Sequence, residues 1–329
     1  MPAARWCAWA RPSLVAAVTL RRPDGKTTAM VLLTVLRDTA RLPFLLLTLA
    51  CLLLGLATVW RIGMPLDGAL LVKVAVGALC AHISVNMLNE YADFRSGLDA
   101  TTRRTPFSGG SGALPAHPQW ASAVLVAGLL ALGVTLAVGW EVLRLRGWAI
   151  LPIGLAGVLL VLLYTPWLTR HPLLCLLAPG LGVGPLMVAG THVALGGHNL
   201  GAALAASWVP GCLASALLLL NQFPDREADR AVGRRNLVIV HGRPWAARLV
   251  LVLHALAAAG LLAAVVLRWL PAASLWGLAP MTLAWPMGRW LLRYDDEPDR
   301  LLPAMILNVV VVLAAPLFMA VAAMSWRLG

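Results

Sequence analysis

The chain has 329 residues, of which 60% are hydrophobic and only 12% charged, with a mean hydropathy of +0.82. That is too apolar for a soluble domain and reads as a polytopic membrane protein. The 26 Lys and Arg against 14 Asp and Glu give a formal net charge of +12; cations gathered on one membrane face account for it without a nucleic-acid partner.

In chain order, Arg11, Arg21, Arg22 and Lys26 interrupt every apolar stretch of the first forty residues, so no clean signal-peptide core forms. Residues 1–41 read as a cytoplasmic arm, partly interfacial. A spanning helix needs about 20 apolar residues, and runs of that kind lie at 42–60, 66–89, 120–140, 147–166, 172–195, 200–221, 247–268, 272–292 and 303–324. The expected fold is therefore all-α, a single nine-helix transmembrane domain over 42–329. Lys and Arg placement orients it N-in and C-out, an integral multi-pass protein in the lipid bilayer, because Arg95, Arg103, Arg104, Arg170, the 226–248 group, Arg289, Arg293 and Arg300 then share the cytoplasmic side. Cys7, Cys51, Cys80, Cys175 and Cys212 lack metal or redox spacing and read as small buried hydrophobes.

The second run ends in Asn89, Asp93 and Asp99, and the sixth in Asn221, Asp225 and Asp229. Together with Glu90 and Glu227, these two short segments hold six of the 14 acidic residues. Steps of i and i+4 put Asn89 with Asp93, and Asn221 with Asp225 and Asp229, on single helix faces. Asp99 lies beyond Gly97, where the helix is expected to stop, and would fold back from the loop. The nine-span topology places both segments at one rim, so they can face each other across one cavity open to the cytoplasm. For an isolated acid near a membrane boundary, a solvated helix end is the plain reading; two matched copies on one face favour a divalent cation. Magnesium takes oxygen ligands and is usually held by one or two carboxylates plus substrate phosphates. Flanking arginines, Arg103 and Arg104 in the first loop and Arg226, Arg230, Arg234 and Arg235 in the second, suit phosphate oxygens, although each is also explained by cytoplasmic charge bias. A diphosphate head at the rim with a hydrocarbon tail among the spans has the shape of a polyprenyl diphosphate.

The segments Asn86-Met-Leu-Asn89-Glu-Tyr-Ala-Asp93-Phe-Arg-Ser-Gly97-Leu-Asp99 and Asn221-Gln-Phe-Pro-Asp225-Arg-Glu-Ala-Asp229-Arg-Ala-Val-Gly233-Arg234 closely resemble the two aspartate motifs of the UbiA-type intramembrane prenyltransferases. Tyr164-Thr165-Pro166 and the glycine-rich stretch from Gly182 to Thr191 extend the resemblance. The five-residue gap between Asp93 and Asp99 resembles the menaquinone-pathway branch, which prenylates dihydroxynaphthoate. Glu90, where many members carry a second aspartate, Asn236 in place of a threonine, and the loop Phe107-Ser-Gly-Gly-Ser-Gly112 depart from the pattern. The resemblance implies a bacterial or archaeal cytoplasmic membrane enzyme that uses Mg2+ to transfer a polyprenyl group from its diphosphate to an aromatic acceptor. It further implies Asn89, Asp93, Asp99, Asp225 and Asp229 at the metal, with Asn89 and Asn221 also serving the diphosphate. Arg104, Arg170 and Arg234 would lie on phosphate oxygens, and Tyr164 beside the reacting groups. Other acceptors of the same fold, namely hydroxybenzoate, a tetrapyrrole, a lipid glycerol or a sugar phosphate, stay open, as does a transporter or cation channel with paired acidic gates.

Three further features carry weaker signals. Gly109, Gly110 and Gly112 lack the strand and lysine of a P-loop and read as a lid over the cavity or a plain linker. Asp295-Asp296-Glu-Pro-Asp299 has carboxylates but no partner cluster. His82 and His254 fall within spans, where an ionisable side chain is a functional candidate.

Overall fold

The structure is a computed structural model that describes residues 27–325 except Arg103; most of the expected arm, residues 1–26, lies outside the described residues. All regular elements there are helices. The chain runs α1 (Thr28–Ala40), α2 (Leu45–Arg61), α3 (Gly68–Ser96), α4 (Leu98–Thr101), α5 (Ala113–Ala116), α6 (Ala121–Arg146), α7 (Leu151–Leu163) and α8 (Pro172–Leu181). A π-helical stretch (Gly182–Ala189) leads into α9 (Gly190–Ala194), followed by α10 (Leu200–Ala231), α11 (Leu237–His241), α12 (Arg243–Val266), α13 (Leu278–Met281), α14 (Ala284–Arg293) and α15 (Leu302–Ser325).

Within the expected arm, residues 28–40 form α1. Thr27 caps it, its hydroxyl accepting from the Met30 amide, and the helix stops where Arg41 turns left-handed at φ 53°. With α2 it makes one apolar stretch, Thr28–Arg61. Among the described residues seven stretches are long and apolar enough to cross a membrane, against the nine expected runs. Two local breaks account for the difference. Runs four and three merge into Pro118–Leu163, 46 residues; a straight helix of that length would measure about 69 Å, more than twice a hydrocarbon core. The chain breaks at Gly147, φ 70°, between α6 and α7. The run at 272–292 is cut into a 3-10 turn, α13 and α14, with Pro280 and Pro286 each removing a backbone donor.

Helix α10 packs closely on α8, the π-helical stretch and α12, as α3 does on α6 and α2 on α15. Glycines permit this approach: a Cβ at Gly184 would come within 2.6 Å of the Ser207 carbonyl, one at Gly180 within 2.7 Å of the Gly211 carbonyl, and one at Gly55 within 2.6 Å of the Val188 carbonyl. Small residues that bring helix backbones together are the usual device inside membranes, where apolar surface has no water to escape. These contacts fix α10, and with it the second acidic segment. Helix α7 is different, since it has no buried residue; it forms a thin wall on a cavity between α3, α6, the π-helical stretch and α10.

Candidate active site

That cavity measures about 580 Å3. Along α3 it is lined by one stripe, from Val74 through Gly77, Ala81 and His82 to Asn86, Asn89 and Asp93, the spacing of a single helix face. Asp93 lies nineteen steps along the helix from Val74, about 28 Å of rise at 1.5 Å per residue, close to the full depth of a hydrocarbon core. Towards Val74 the wall is apolar, with Leu132, Val138, Val142, Ile153 and Ala194; at the other end it is polar.

The polar end assembles both acidic segments. Helix α3 supplies Asn89 and Asp93, and α10 supplies Asn221, Asp225 and Asp229 from one face. Gly97 turns left-handed at φ 79° and ends α3, so Asp99 enters from the single turn α4. Arg234 lies between the segments. Its Nη1 is 3.0 Å from Asp229 Oδ1, and its Nη2 donates to Asp93 Oδ1. Burial alone would lower the Arg234 pKa; the charges of Asp93 and Asp229 outweigh it and raise it. The second Asp229 oxygen accepts from Asn236 Nδ2 at 2.9 Å, while Asn236 Oδ1 caps α11. An asparagine can do both, because its amide donates and accepts.

Other oxygens at this end lack protein partners. Asp99 Oδ2, Asn221 Oδ1 and Asp225 Oδ1 are buried without hydrogen bonds, and each such atom costs about 1–3 kcal/mol unless something else satisfies it. Asn89 donates its amide to Thr165 Oγ1 at 3.0 Å, which leaves its oxygen to meet a cation. The set is oxygen-only and anionic, four carboxylates around one guanidinium, and fits a hard divalent ion. Among the described residues no three His, Cys, Asp or Glu side chains gather closely enough to hold a metal unaided. An ion there would complete its shell with water or with the oxygens of a phosphate-bearing partner, the usual arrangement for magnesium. Burial, followed by the charge of Glu90, raises the Asp99 pKa to about 6.

Tyr164 lines the same end, next to the Thr165 that orients Asn89. Its turn is tied to the second segment by the Arg235 amide, which donates to the Thr169 carbonyl at 3.0 Å. The structure does not bring Arg104 or Arg170 to the cavity wall. Arg170 is exposed. Arg104 lies over Gly112, where a Cβ would meet its guanidinium at 2.4 Å, and its Nη2 reaches only the Asp99 carbonyl at 3.5 Å. The Asp295–Asp299 segment lies off the cavity too, with Glu297 paired to Arg300 at 3.1 Å. His82 is on the wall, its Nδ1 2.6 Å from Thr48 Oγ1.

Sequence reasoning missed the partners of Glu90 and Asp225. Glu90, on α3, faces Arg41 and Ser111 and is absent from the cavity wall; Asp225 Oδ2 accepts from the Gly109 amide at 3.1 Å. The glycines at 109, 110 and 112, all at positive φ, were the available signal that this loop turns back onto the acids.

Residues 48–310 match the UbiA prenyltransferase family. Over 186 residues the chain is 27% identical to a 1,4-dihydroxy-2-naphthoate octaprenyltransferase of Bacillus subtilis (strain 168), a stretch spanning 56% of this chain and 58% of the relative. Among solved structures it resembles that of a digeranylgeranylglyceryl phosphate synthase, TM-score 0.58 at 15% identity over 89% of this chain and 99% of the other. A UbiA homologue from Archaeoglobus fulgidus, bound to DMAPP and Mg2+, gives TM-score 0.56 at 15% identity over 88% and 99%. At that identity the structural likeness concerns the fold.

Proposed function

The chain belongs to the UbiA prenyltransferase family, and from that membership we propose that it transfers a polyprenyl group from its diphosphate to an aromatic acceptor with the help of Mg2+. The observation that carries this is the meeting of Asp93 and Asp229, one from each segment, on Arg234 at the polar end of a slot about as deep as the hydrocarbon core. Asn89, Asp93, Asp99, Asp225 and Asp229 would hold the ion, with Asn221 in support. When bound, magnesium neutralises the diphosphate oxygens and eases its departure as an anion. Arg234 offers its guanidinium fork to the same oxygens, and Arg104 reaches them if its loop turns inward; Arg170, exposed and off the cavity wall, would have to do the same.

The reaction breaks the bond between prenyl C1 and the diphosphate oxygen, and the leaving diphosphate keeps the electron pair. A ring carbon of the acceptor then bonds to C1 and gives up its proton. The protein's part is placement: the apolar wall from Val74 to Val85 takes the tail and keeps water from C1, while Tyr164 orients the groups at the head. We take the acceptor to be a dihydroxynaphthoate of quinone synthesis. The Bacillus relative and the five-residue gap before Asp99 support that choice. The membrane is crossed nine times when α6 and α7 are counted separately and 272–293 as one broken crossing. The N-terminus and the polar cavity mouth then lie on the cytoplasmic side.

Membranes given labelled geranylgeranyl diphosphate, magnesium and dihydroxynaphthoate should release pyrophosphate and form prenylated product, and EDTA should abolish both. EDTA-insensitive turnover, or ion flux without prenyl transfer, overturns the reading. Lipid mass spectrometry after gene inactivation tests the acceptor, with loss of menaquinone as the expected result.

A further inference from the structure

Glu90 sits in the first acidic segment, one residue from Asn89, yet it faces away from the cavity. Its side chain is fully buried and both oxygens are taken. Oε1 accepts from Arg41 Nε at 2.8 Å and from the Ser111 amide at 2.8 Å; Oε2 accepts from Ser111 Oγ at 2.7 Å. Arg41 Nη2 adds an ion pair to Oε1 at 2.6 Å. Glu90 thus joins three pieces: α3, the left-handed bend between α1 and α2, and the glycine loop.

The loop is held in two ways. On its inner side the Gly109 amide bonds to Asp225 Oδ2, and the Gly110 backbone rests on Asp99, where a Cβ would come within 2.7 Å of Oδ1. Both carboxylates are ones that a cation and a diphosphate would engage, so these tethers compete with substrate. The tether to Glu90 does not. Behind the loop is a second cavity of about 490 Å3, between Thr105–Ser111 and the bend at Arg41–Phe44. The loop therefore has space on both faces and glycine hinges at 109, 110 and 112.

We propose that Glu90 is a positioning residue, the latch that holds the 105–111 loop across the mouth of the cavity beside the two inner tethers and keeps holding it when Asp225 and Asp99 turn to the cation. The consequence for catalysis rests on the prenyl-transfer reading; the latch itself can be tested without turnover. In a Ser108→Cys protein, position 108 is buried, and a maleimide should reach it only when the loop opens. The labelling rate of that peptide, followed by mass spectrometry in the substrate-free protein, should rise about tenfold in the Glu90→Gln form. Gln keeps the shape and loses the ion pair. Ser111→Ala, which removes the hydroxyl's bond to Glu90 together with the bond it accepts from the Ala113 amide at the start of the short α5, should raise it about fivefold and serves if Glu90→Gln fails to fold. In turnover assays, Glu90→Gln should raise the KM for geranylgeranyl diphosphate several-fold with kcat within about twofold, since a lid that closes on ground and transition state alike contributes uniform binding. Labelling at the parent rate in a folded Glu90→Gln protein, or in Ser111→Ala, overturns the latch. A parent protein that transfers no prenyl group overturns the functional reading and leaves the labelling result standing.

Discussion

The two acidic segments share a pattern, an asparagine followed four residues later by an aspartate, and their surroundings divide the work unequally. On α10, Asp229 has both oxygens engaged, by Arg234 and Asn236, whereas Asp225 keeps Oδ1 free. On the α3 side, Asp93 is paired to Arg234, Glu90 is sealed against Arg41 and Ser111, and the free oxygen belongs to Asp99, beyond the helix. Equal spacing therefore does not mean equal roles: in each segment one carboxylate is clamped by Arg234 and another is left open for a ligand. If that division is right, the open acids should matter most for turnover and the clamped ones should matter for both fold and turnover.

The sharpest test is Asp225→Asn. It keeps the Gly109 bond within reach and removes the charge of the open oxygen, so prenyl transfer should fall about 100- to 1,000-fold, the scale for losing one electrostatic group at a developing charge, with the melting temperature nearly unchanged. Steady-state pyrophosphate release and a thermal melt in detergent decide it together. Next comes the clamp. Arg234→Gln leaves Asp93 and Asp229 unpaired and should cost about 3 kcal/mol of stability, whereas Arg234→Lys should fold and lose about 10- to 100-fold in rate, because an ammonium cannot fork between two segments. A stable, active Arg234→Gln protein would dissolve the distinction between clamped and open acids.

Much of this was legible beforehand. The i and i+4 steps put Asn221, Asp225 and Asp229 on one face of α10, and Gly97 marked the end of α3 before Asp99. Spacing along one helix could not show that Arg234 is shared by Asp93, 141 residues earlier, nor that Glu90 points backwards into Arg41. Those facts depend on how α3, α10 and two loops meet. The seven long apolar helical stretches among the described residues differ from the nine expected runs for a related reason: hydropathy windows register apolar residues, while Gly147, Pro280 and Pro286 decide where a helix is continuous.

A smaller effect concerns Asp99 and pH. Its pKa is raised to about 6 by burial and by Glu90, so its charge is complete only above that value and is lost as pH falls through it. Protons then compete with magnesium, and the apparent magnesium affinity should drop by up to about tenfold per pH unit below 6. Asp99→Asn should be weaker at neutral pH and should fall less steeply below pH 6. Magnesium half-saturation measured from pH 5 to 8 in both proteins checks it, and an unchanged acid limb in Asp99→Asn would remove Asp99 from the ligand set.

The mildest change extends the contrast to the apolar half of the molecule, where two glycines, one packed on α10 and one on the cavity wall, should behave in opposite ways. Gly184 is closed in by α10, with the Ser207 carbonyl 2.6 Å from any added Cβ; Gly184→Ala forces the π-helical stretch off α10 and should destabilise by about 1–3 kcal/mol. Gly154 lines the slot on α7 and has nothing within 4 Å of a built Cβ. A leucine there fills part of the tail's space without displacing a helix. Gly154→Leu should fold normally and shift preference a few-fold from geranylgeranyl towards geranyl diphosphate, read as the ratio of kcat/KM values. If the ratio stays put while Gly184→Ala still destabilises, the tail does not run along α7, and the floor of the slot must be sought on the α3 and α6 faces instead.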